Sequence, residues 1–323
     1  MQPIKIGNDQ FTVTVIPFGA RIVDVRLAEN PIPLVLGYPD ITDYLNDNAY
    51  MGAIVGRVAN RIAYGQTIIG NYLHRFDKNE NSIQTLHGGS LGCAFQNWQI
   101  KKNDNISVTF ILREPDKHMG FPGNCYLEVT YKIIGPMCLK ITMQAISDMD
   151  GICNLASHPY FCLDDSGDIS AHELQIHATR YLPVNELSIP TGDIKSVSNS
   201  RFDFRRPREL RQIVAGGDEI IDHNFCLSNS QTNLREVATL SSGLSNIAMK
   251  ISSTEAGIQL YTGHHLSSTP NGYNGHSYAP FSGLCIEPQA WPDAPNQSHF
   301  PSIFLPANTT YQQITCFEFK IRG

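Results

Sequence analysis

Apolar and polar residues alternate with a period of two through most of this chain. Phe11-Thr-Val-Thr-Val15 shows the pattern, and so does Cys125-Tyr-Leu-Glu-Val-Thr-Tyr-Lys-Ile133. In the second segment Cys125, Leu127, Val129, Tyr131 and Ile133 share one face, while Glu128, Thr130 and Lys132 share the other. Such alternation predicts half-buried antiparallel strands. Gly135-Pro136 then supplies a turn and Cys138-Leu-Lys-Ile-Thr-Met-Gln-Ala145 returns, which predicts a hairpin. Further strands are expected at 20–27, 66–76, 106–112, 173–177, 236–241, 246–252, 257–261 and 310–319. Helical periodicity is scarce, and 207–214 is the best short candidate. Polar segments at 185–199 and 267–278 read as long loops, and no repeat or linker divides the chain. The expectation is one all-β domain spanning 1–323, a large antiparallel β-sandwich with few short helices.

Composition narrows the function classes. The chain has 323 residues, enough for a sizeable core, and its formal net charge is -6 from 30 acidic and 24 basic residues. No basic run is interleaved with aromatics, which argues against nucleic acid as a partner. No apolar run approaches the roughly 20 residues that span a bilayer, and Met1-Gln-Pro-Ile-Lys-Ile does not read as a signal peptide. The eight cysteines are widely spread without a C-x-x-C pair, so reduced thiols in a cytoplasmic protein are expected. Monomer and homodimer are both compatible with the sequence.

Five stretches could carry chemistry. In Gly283-Leu-Cys-Ile-Glu-Pro-Gln-Ala-Trp-Pro-Asp-Ala-Pro-Asn296 an apolar run leads into Glu287, and three prolines follow. This predicts a buried strand that ends on one carboxylate, whose pKa and aim the fold can set; a solvated strand-end glutamate is the alternative. Gly52-Ala-Ile-Val-Gly-Arg-Val-Ala-Asn-Arg-Ile62 places two arginines in a glycine-flanked segment, suited either to binding hydroxyls or carboxylates or to tying loops together. Leu86-His-Gly-Gly-Ser90 sets His87 beside glycines that permit close backbone approach or positive φ. In Cys153-Asn-Leu-Ala-Ser-His-Pro-Tyr-Phe161, Pro159 locks His158 while Tyr160 and Phe161 offer apolar walls. A histidine so placed can be held near neutral pKa as a proton donor, or can simply be bonded to backbone. Asp222 ends the apolar run in Ile220-Ile-Asp-His-Asn-Phe225 and could anchor hydroxyls or cap a turn. His264-His265, as neighbours on a strand, would point to opposite faces and would not share a metal. No G-x-S-x-G, H-E-x-x-H or phosphate-loop pattern is present.

Taken in order, these stretches resemble the aldose 1-epimerase (galactose mutarotase) family. Gly56-Arg-Val-Ala-Asn-Arg-Ile62 is similar to its G-R-x-A-N-R-I, Leu86-His-Gly-Gly89 to its L-H-G-G, and Asp222-His-Asn-Phe225 to its D-H-N-F. Asn154-Leu-Ala-Ser-His-Pro-Tyr-Phe161 resembles N-x-x-x-H-x-Y-F-N-L, and Gly257-Ile-Gln-Leu-Tyr-Thr-Gly263 resembles G-x-Q-x-Y-T-G. Glu287-Pro-Gln-Ala-Trp-Pro-Asp-Ala-Pro-Asn296 resembles E-x-Q-x-x-P-D-A-x-N. The resemblance implies a β-sandwich enzyme that interconverts the α and β anomers of a free hexose such as galactose or glucose. By position, Glu287 is implied as the general base on the C1 hydroxyl and His158 as the general acid on the ring oxygen. His87, Arg61 and Asp222 are implied as sugar-binding residues, with no metal or other cofactor.

Departures bear on sugar specificity. Cys162 stands where the family has asparagine and Pro159 where serine is common, both near His158, and His118-Met119 stands where acidic residues are common. Two other functions stay open. A hexose-6-phosphate epimerase on this fold would need a basic pocket, for which Arg201, Arg205, Arg206 and Arg208 are the dense candidates. A non-catalytic sugar-binding protein would not need both His158 and Glu287. A glycoside hydrolase would want a second carboxylate in comparable company.

Overall fold

The computed structural model describes residues 2–216, 220–267, 270–275 and 277–322. Among them two antiparallel sheets dominate. The larger has nine strands in the order Arg208–Glu209, His172–Ile176, Arg235–Ser242, Ile247–Ser253, Thr310–Ile321, Cys138–Ser147, Cys125–Ile134, Ser107–Glu114 and Gln99–Asp104. The smaller has six: Tyr160–Phe161, Leu284–Gln289, Gly257–Tyr261, Asp222–Cys226, Arg180–Tyr181 and Lys195–Ser196. The predicted hairpin is present, with Cys125 opposite Ser147 and Ile134 opposite Cys138.

The alternation seen in the sequence becomes the core. Leu127, Val129 and Tyr131 from the large sheet share one buried cluster with Phe161, Ile258, Leu260, Leu284 and Ile286 from the small one. Phe161 and Phe317 meet across the sandwich with ring centroids 5.0 Å apart. A three-stranded sheet, Ile4–Gly7, Phe11–Ile16 and Arg21–Leu27, packs through Phe11 onto Phe319. Each fully buried aliphatic or aromatic side chain of this kind contributes about 1.5–3 kcal/mol, so the sandwich rests on this shared layer.

Three local expectations change. Residues 66–76 form a hairpin of Gln66–Ile69 and Tyr72–Arg75, because Gly70 at φ +60° turns the chain. The helix expected at 207–214 is a short strand, Arg208–Glu209, followed by a helix at Arg211–Gly216. The strand bearing Glu287 does not stop there but runs on through Pro288 to Gln289. Pro288 is tolerated because Tyr160–Phe161 pairs only with Cys285 and Leu284, which leaves that side of the strand without a ladder further on.

Candidate active site

The site is built on the face of the six-stranded sheet turned away from the core. Along Leu284–Gln289 the apolar Leu284 and Ile286 enter the core cluster, so Cys285 and Glu287 present their side chains on the opposite face. Register then assembles residues from distant segments. Glu287 lies opposite Gln259, and Gln259 opposite Asn224. Cys285 lies opposite both Tyr160 and Tyr261, and Tyr261 opposite Asp222. Asp222 thus begins a strand rather than ending one.

His158 enters from the break between the short strands Ala156–Ser157 and Tyr160–Phe161. Its N–H donates to Ala53 O at 2.9 Å and its carbonyl accepts from Gly52 N at 3.0 Å, which fixes the backbone. The ring offers Nε2 to Glu287 Oε1 at 3.7 Å and Nδ1 to Cys285 Sγ at 3.4 Å. His87 meets it edge-on, centroids 5.3 Å apart, and Tyr50 packs against both rings. The left-handed turn of Leu86-His-Gly-Gly89 brings His87 there: its own φ is +51°, and a Cβ on Gly88 would stand 1.9 Å from Gly56 O. Asn60 N donates to His87 Nδ1 at 3.1 Å, so the neutral ring carries its proton on Nε2.

Arg61 is held by two carboxylates. Its Nε and one terminal nitrogen fork onto Glu80 at 2.8 and 2.9 Å, and the other reaches Asp222 Oδ2 at 3.4 Å. Gln259 Nε2 donates to Asp222 Oδ1 at 2.6 Å. Arg61, Glu80, His87, His158, Asp222 and Glu287 line a cavity of about 620 Å³, whose wall among the described residues carries Asp43, Asp47, Glu80, Asp222 and Glu287 but a single guanidinium, Arg61. Burial shapes the titration. It raises Glu287 well above the usual carboxyl range, with repulsion from Asp222 adding and Arg61 opposing. It pushes His158 down to about 4 and His87 well below the usual imidazole range. His158 is therefore not near neutrality, as the sequence suggested, because its ring is fully desolvated. Glu287 Oε2 is buried and has no hydrogen-bond partner among the described residues.

A family model for aldose 1-epimerase matches residues 2–318. The chain belongs to the aldose 1-epimerase family. It is 35% identical over 330 residues to the galactose mutarotase of Bos taurus, covering 99% of this chain and 94% of that one. It is 31% identical to the aldose 1-epimerase of Escherichia coli, covering 98% and 96%. A solved GalM/aldose epimerase homologue from C. elegans superposes with a TM-score of 0.93 at 29% identity, covering 100% and 99%. The chain is accordingly an isomerase, a mutarotase by activity, on the β-sandwich of that family.

In this aldose 1-epimerase family member, His158, Glu287, Arg61, His87 and Asp222 all line one cavity. Arg57 does not: it is buried against Glu114 at 2.9 Å and donates to Pro122 O, a loop tie. Tyr160 is a wall of the cavity, whereas Phe161 faces the core. Cys162 and His118 lie outside the lining, Cys162 donating to Asp164 O and His118 contacting Leu91 O. The Arg201–Arg208 cluster also lies outside it. His264 and His265 sit in a turn after Gly257–Tyr261, not on a strand, and their rings touch at 4.2 Å; His265 reaches the cavity rim. Sequence reasoning missed Tyr50, Glu80, Gln259, Tyr261 and Cys285. Strand parity was the available signal for three of them, since Gln259, Tyr261 and Cys285 share the face of Glu287.

Among the described residues two clusters have metal-ligand chemistry. His158, Cys285 and Glu287 offer donors within 4.8 Å of one another, but the sulfur faces Nδ1 and the carboxylate Nε2. In Cys162, Asp164 and His172, Leu163 N donates to His172 Nε2 at 2.7 Å. The ring proton is therefore on Nδ1, aimed at Asp164 Oδ2 3.6 Å away.

Proposed function

We propose that the chain interconverts the anomers of an uncharged aldohexose such as galactose or glucose, with Glu287 as general base and His158 as general acid. Glu287 takes the proton of the C1 hydroxyl while His158 gives one to the ring oxygen. The C1–ring-oxygen bond breaks as C1 becomes an aldehyde carbon. Rotation about C1–C2 presents the other carbonyl face, and the ring recloses with the two proton transfers reversed. The observation that carries this reading is Nε2 of His158 at 3.7 Å from Glu287 Oε1, both buried at the wall of a sugar-sized cavity. The second carboxylate oxygen, also buried, has no hydrogen-bond partner among the described residues.

Burial raises the carboxyl and lowers the imidazole, so the pair no longer keeps the order that in water would hold a proton on the histidine. His87, neutral with its proton on Nε2, is a donor to sugar oxygens; Arg61 and Asp222, the latter held from behind by Gln259, form a fixed pair for ring hydroxyls. The phosphorylated-sugar alternative fares worse here. Five carboxyls oppose an added anion, the one guanidinium is already forked onto Glu80, and the arginines of the 201–208 cluster lie elsewhere.

Free cysteines, all buried except the half-buried Cys138, suit a reducing compartment, and we place the enzyme in the cytoplasm. Among the described residues no helix is long and apolar enough to cross a membrane.

Polarimetry on freshly dissolved α-galactose, α-glucose and glucose 6-phosphate tests the reading. The neutral sugars should be accelerated far more than the phosphate, and Glu287→Gln or His158→Asn should each lose on the order of 10²–10⁴-fold. Near wild-type rates in Glu287→Gln would remove it from the base role. Preference for the phosphate would overturn the substrate class.

A further inference from the structure

Both site histidines have one nitrogen turned toward the chemistry and one turned toward the protein, and the protein-side partners differ. His87 Nδ1 accepts from a backbone N–H, Asn60 N at 3.1 Å. That donor cannot turn around, so it holds His87 in its neutral form. His158 Nδ1 instead faces the sulfur of Cys285 at 3.4 Å. Cys285 is fully buried, and strand parity puts its side chain on the same face as Glu287, between Tyr160 and Tyr261 in register.

A ring that gives and takes a proton at Nε2 changes what it needs at Nδ1. Neutral, with its proton on Nε2, it needs a donor there; as imidazolium it carries N–H at both nitrogens and needs an acceptor. A carboxylate fixed at that place would trap the imidazolium, and an amide N–H would trap the neutral ring. A thiol serves either state by rotating its S–H, and it binds weakly in both. We infer that Cys285 is a positioning residue for anomer interconversion, a reversible hydrogen-bond partner that keeps the mobile proton of His158 on Nε2 while letting the ring change charge. Burial pushes the Cys285 thiol well above its ordinary range, so the S–H is present throughout. The inference rests on the acid role proposed for His158.

The test is kinetics joined to ¹⁵N spectroscopy of labelled histidine. The titratable groups around the His158 ring are Glu287, His87, Tyr50, Tyr160 and Cys285, with Asp47, Asp222 and Arg21 acting at longer range. Cys285→Ala should lower kcat roughly tenfold with little change in KM, and should move the Nδ1 resonance of His158. Cys285→Ser, which keeps a rotatable donor and acceptor, should recover most of kcat. Cys285→Asp should raise the pH at which His158 titrates and slow the reaction. Unchanged kcat and unchanged His158 resonances in Cys285→Ala would overturn the inference. Should Cys285→Ala fail to fold, Cys285→Asp decides: no shift in the His158 titration overturns it equally. A fully active His158→Asn would instead sink the acid role itself, which separates the two failures.

Discussion

Glu255 lies two residues before the Gly257–Tyr261 strand, and Glu287 lies in the strand paired with it; their exposures are 1% and 2%. Burial raises both carboxyls, Glu255 to about 7 and Glu287 well above its ordinary range. By the direction of the shift alone both are candidate bases. Their surroundings differ. Glu255 accepts from the Gln231 amide at 2.5 Å and lines a separate cavity of about 400 Å³ with no histidine in its wall. Glu287 keeps one oxygen unpartnered and has His158 beside the other. Burial makes a carboxyl basic, but a proton-carrying neighbour and a place in the wall of the same cavity make that basicity usable. A third buried acid, Glu114, is matched by Arg57 at 2.9 Å and serves the Pro122–Gly123 loop instead.

The largest effect that could break this comparison is on rate. Glu287→Gln is expected to lose on the order of 10³-fold in anomer interconversion while its thermal midpoint holds or rises, since a desolvated acid has been removed. A fall in both would mean that Glu287 is structural like Glu114. Next comes the matched pair. Arg57→Met strands Glu114 as an uncompensated buried charge and should cost roughly 3–5 kcal/mol in urea unfolding. Replacing both partners with apolar residues should recover most of that loss; if it does not, the pair is more than a charge match.

How much of this was legible beforehand depends on strand length. The long strands Cys125–Ile134 and Cys138–Ser147 carry five repeats of alternation each, and the sequence located them to within a residue or two. The site instead uses two-residue strands, Ile54–Val55, Arg61–Ile62, Thr85–Leu86 and Ala156–Ser157, too short to show any period. His158 and Glu287 were found through local motifs, but their meeting depends on the Cys285–Tyr160 register, a contact between residues 125 apart in sequence. Arg57 and Arg61 stand in one motif with the same side chain, and nothing local separates them. Only the partners do, Glu114 for one and Glu80 with Asp222 for the other. Pro288 misled because its cost depends on whether the strand has a neighbour on that side, which the sequence does not display.

A stability experiment sharpens the contrast further. In the fold Glu255 holds its proton to about pH 7, whereas the unfolded side chain releases it near 4.5. The folded state therefore binds more protons between those values, and this group's contribution falls as pH rises through the window, then levels off above about 7. Glu255→Gln removes that loss. It should stabilise the protein by about 3 kcal/mol at pH 8 and by little at pH 4.5, read as the difference between variant and wild-type melts. A gain independent of pH would mean that packing, not ionisation, is responsible.

The smallest expected effect is the most discriminating. Glu255→Gln should leave the rate of anomer interconversion within about twofold of wild type, because Glu255 shares no cavity with His158 and contributes nothing to the row of Glu287, Gln259 and Asn224. The strand that begins beyond it, Gly257–Tyr261, does carry Gln259 and Tyr261, so a mechanical link between the two acids is available through the backbone. If the rate fell tenfold while the melt rose as expected, the charge at Glu255 would be setting the position of Gln259 and, through it, Asp222. The two buried glutamates would then be one coupled system. An unchanged rate with a raised melt keeps them apart: one desolvated acid that only weakens the fold, and one whose desolvation the histidine beside it turns to chemistry.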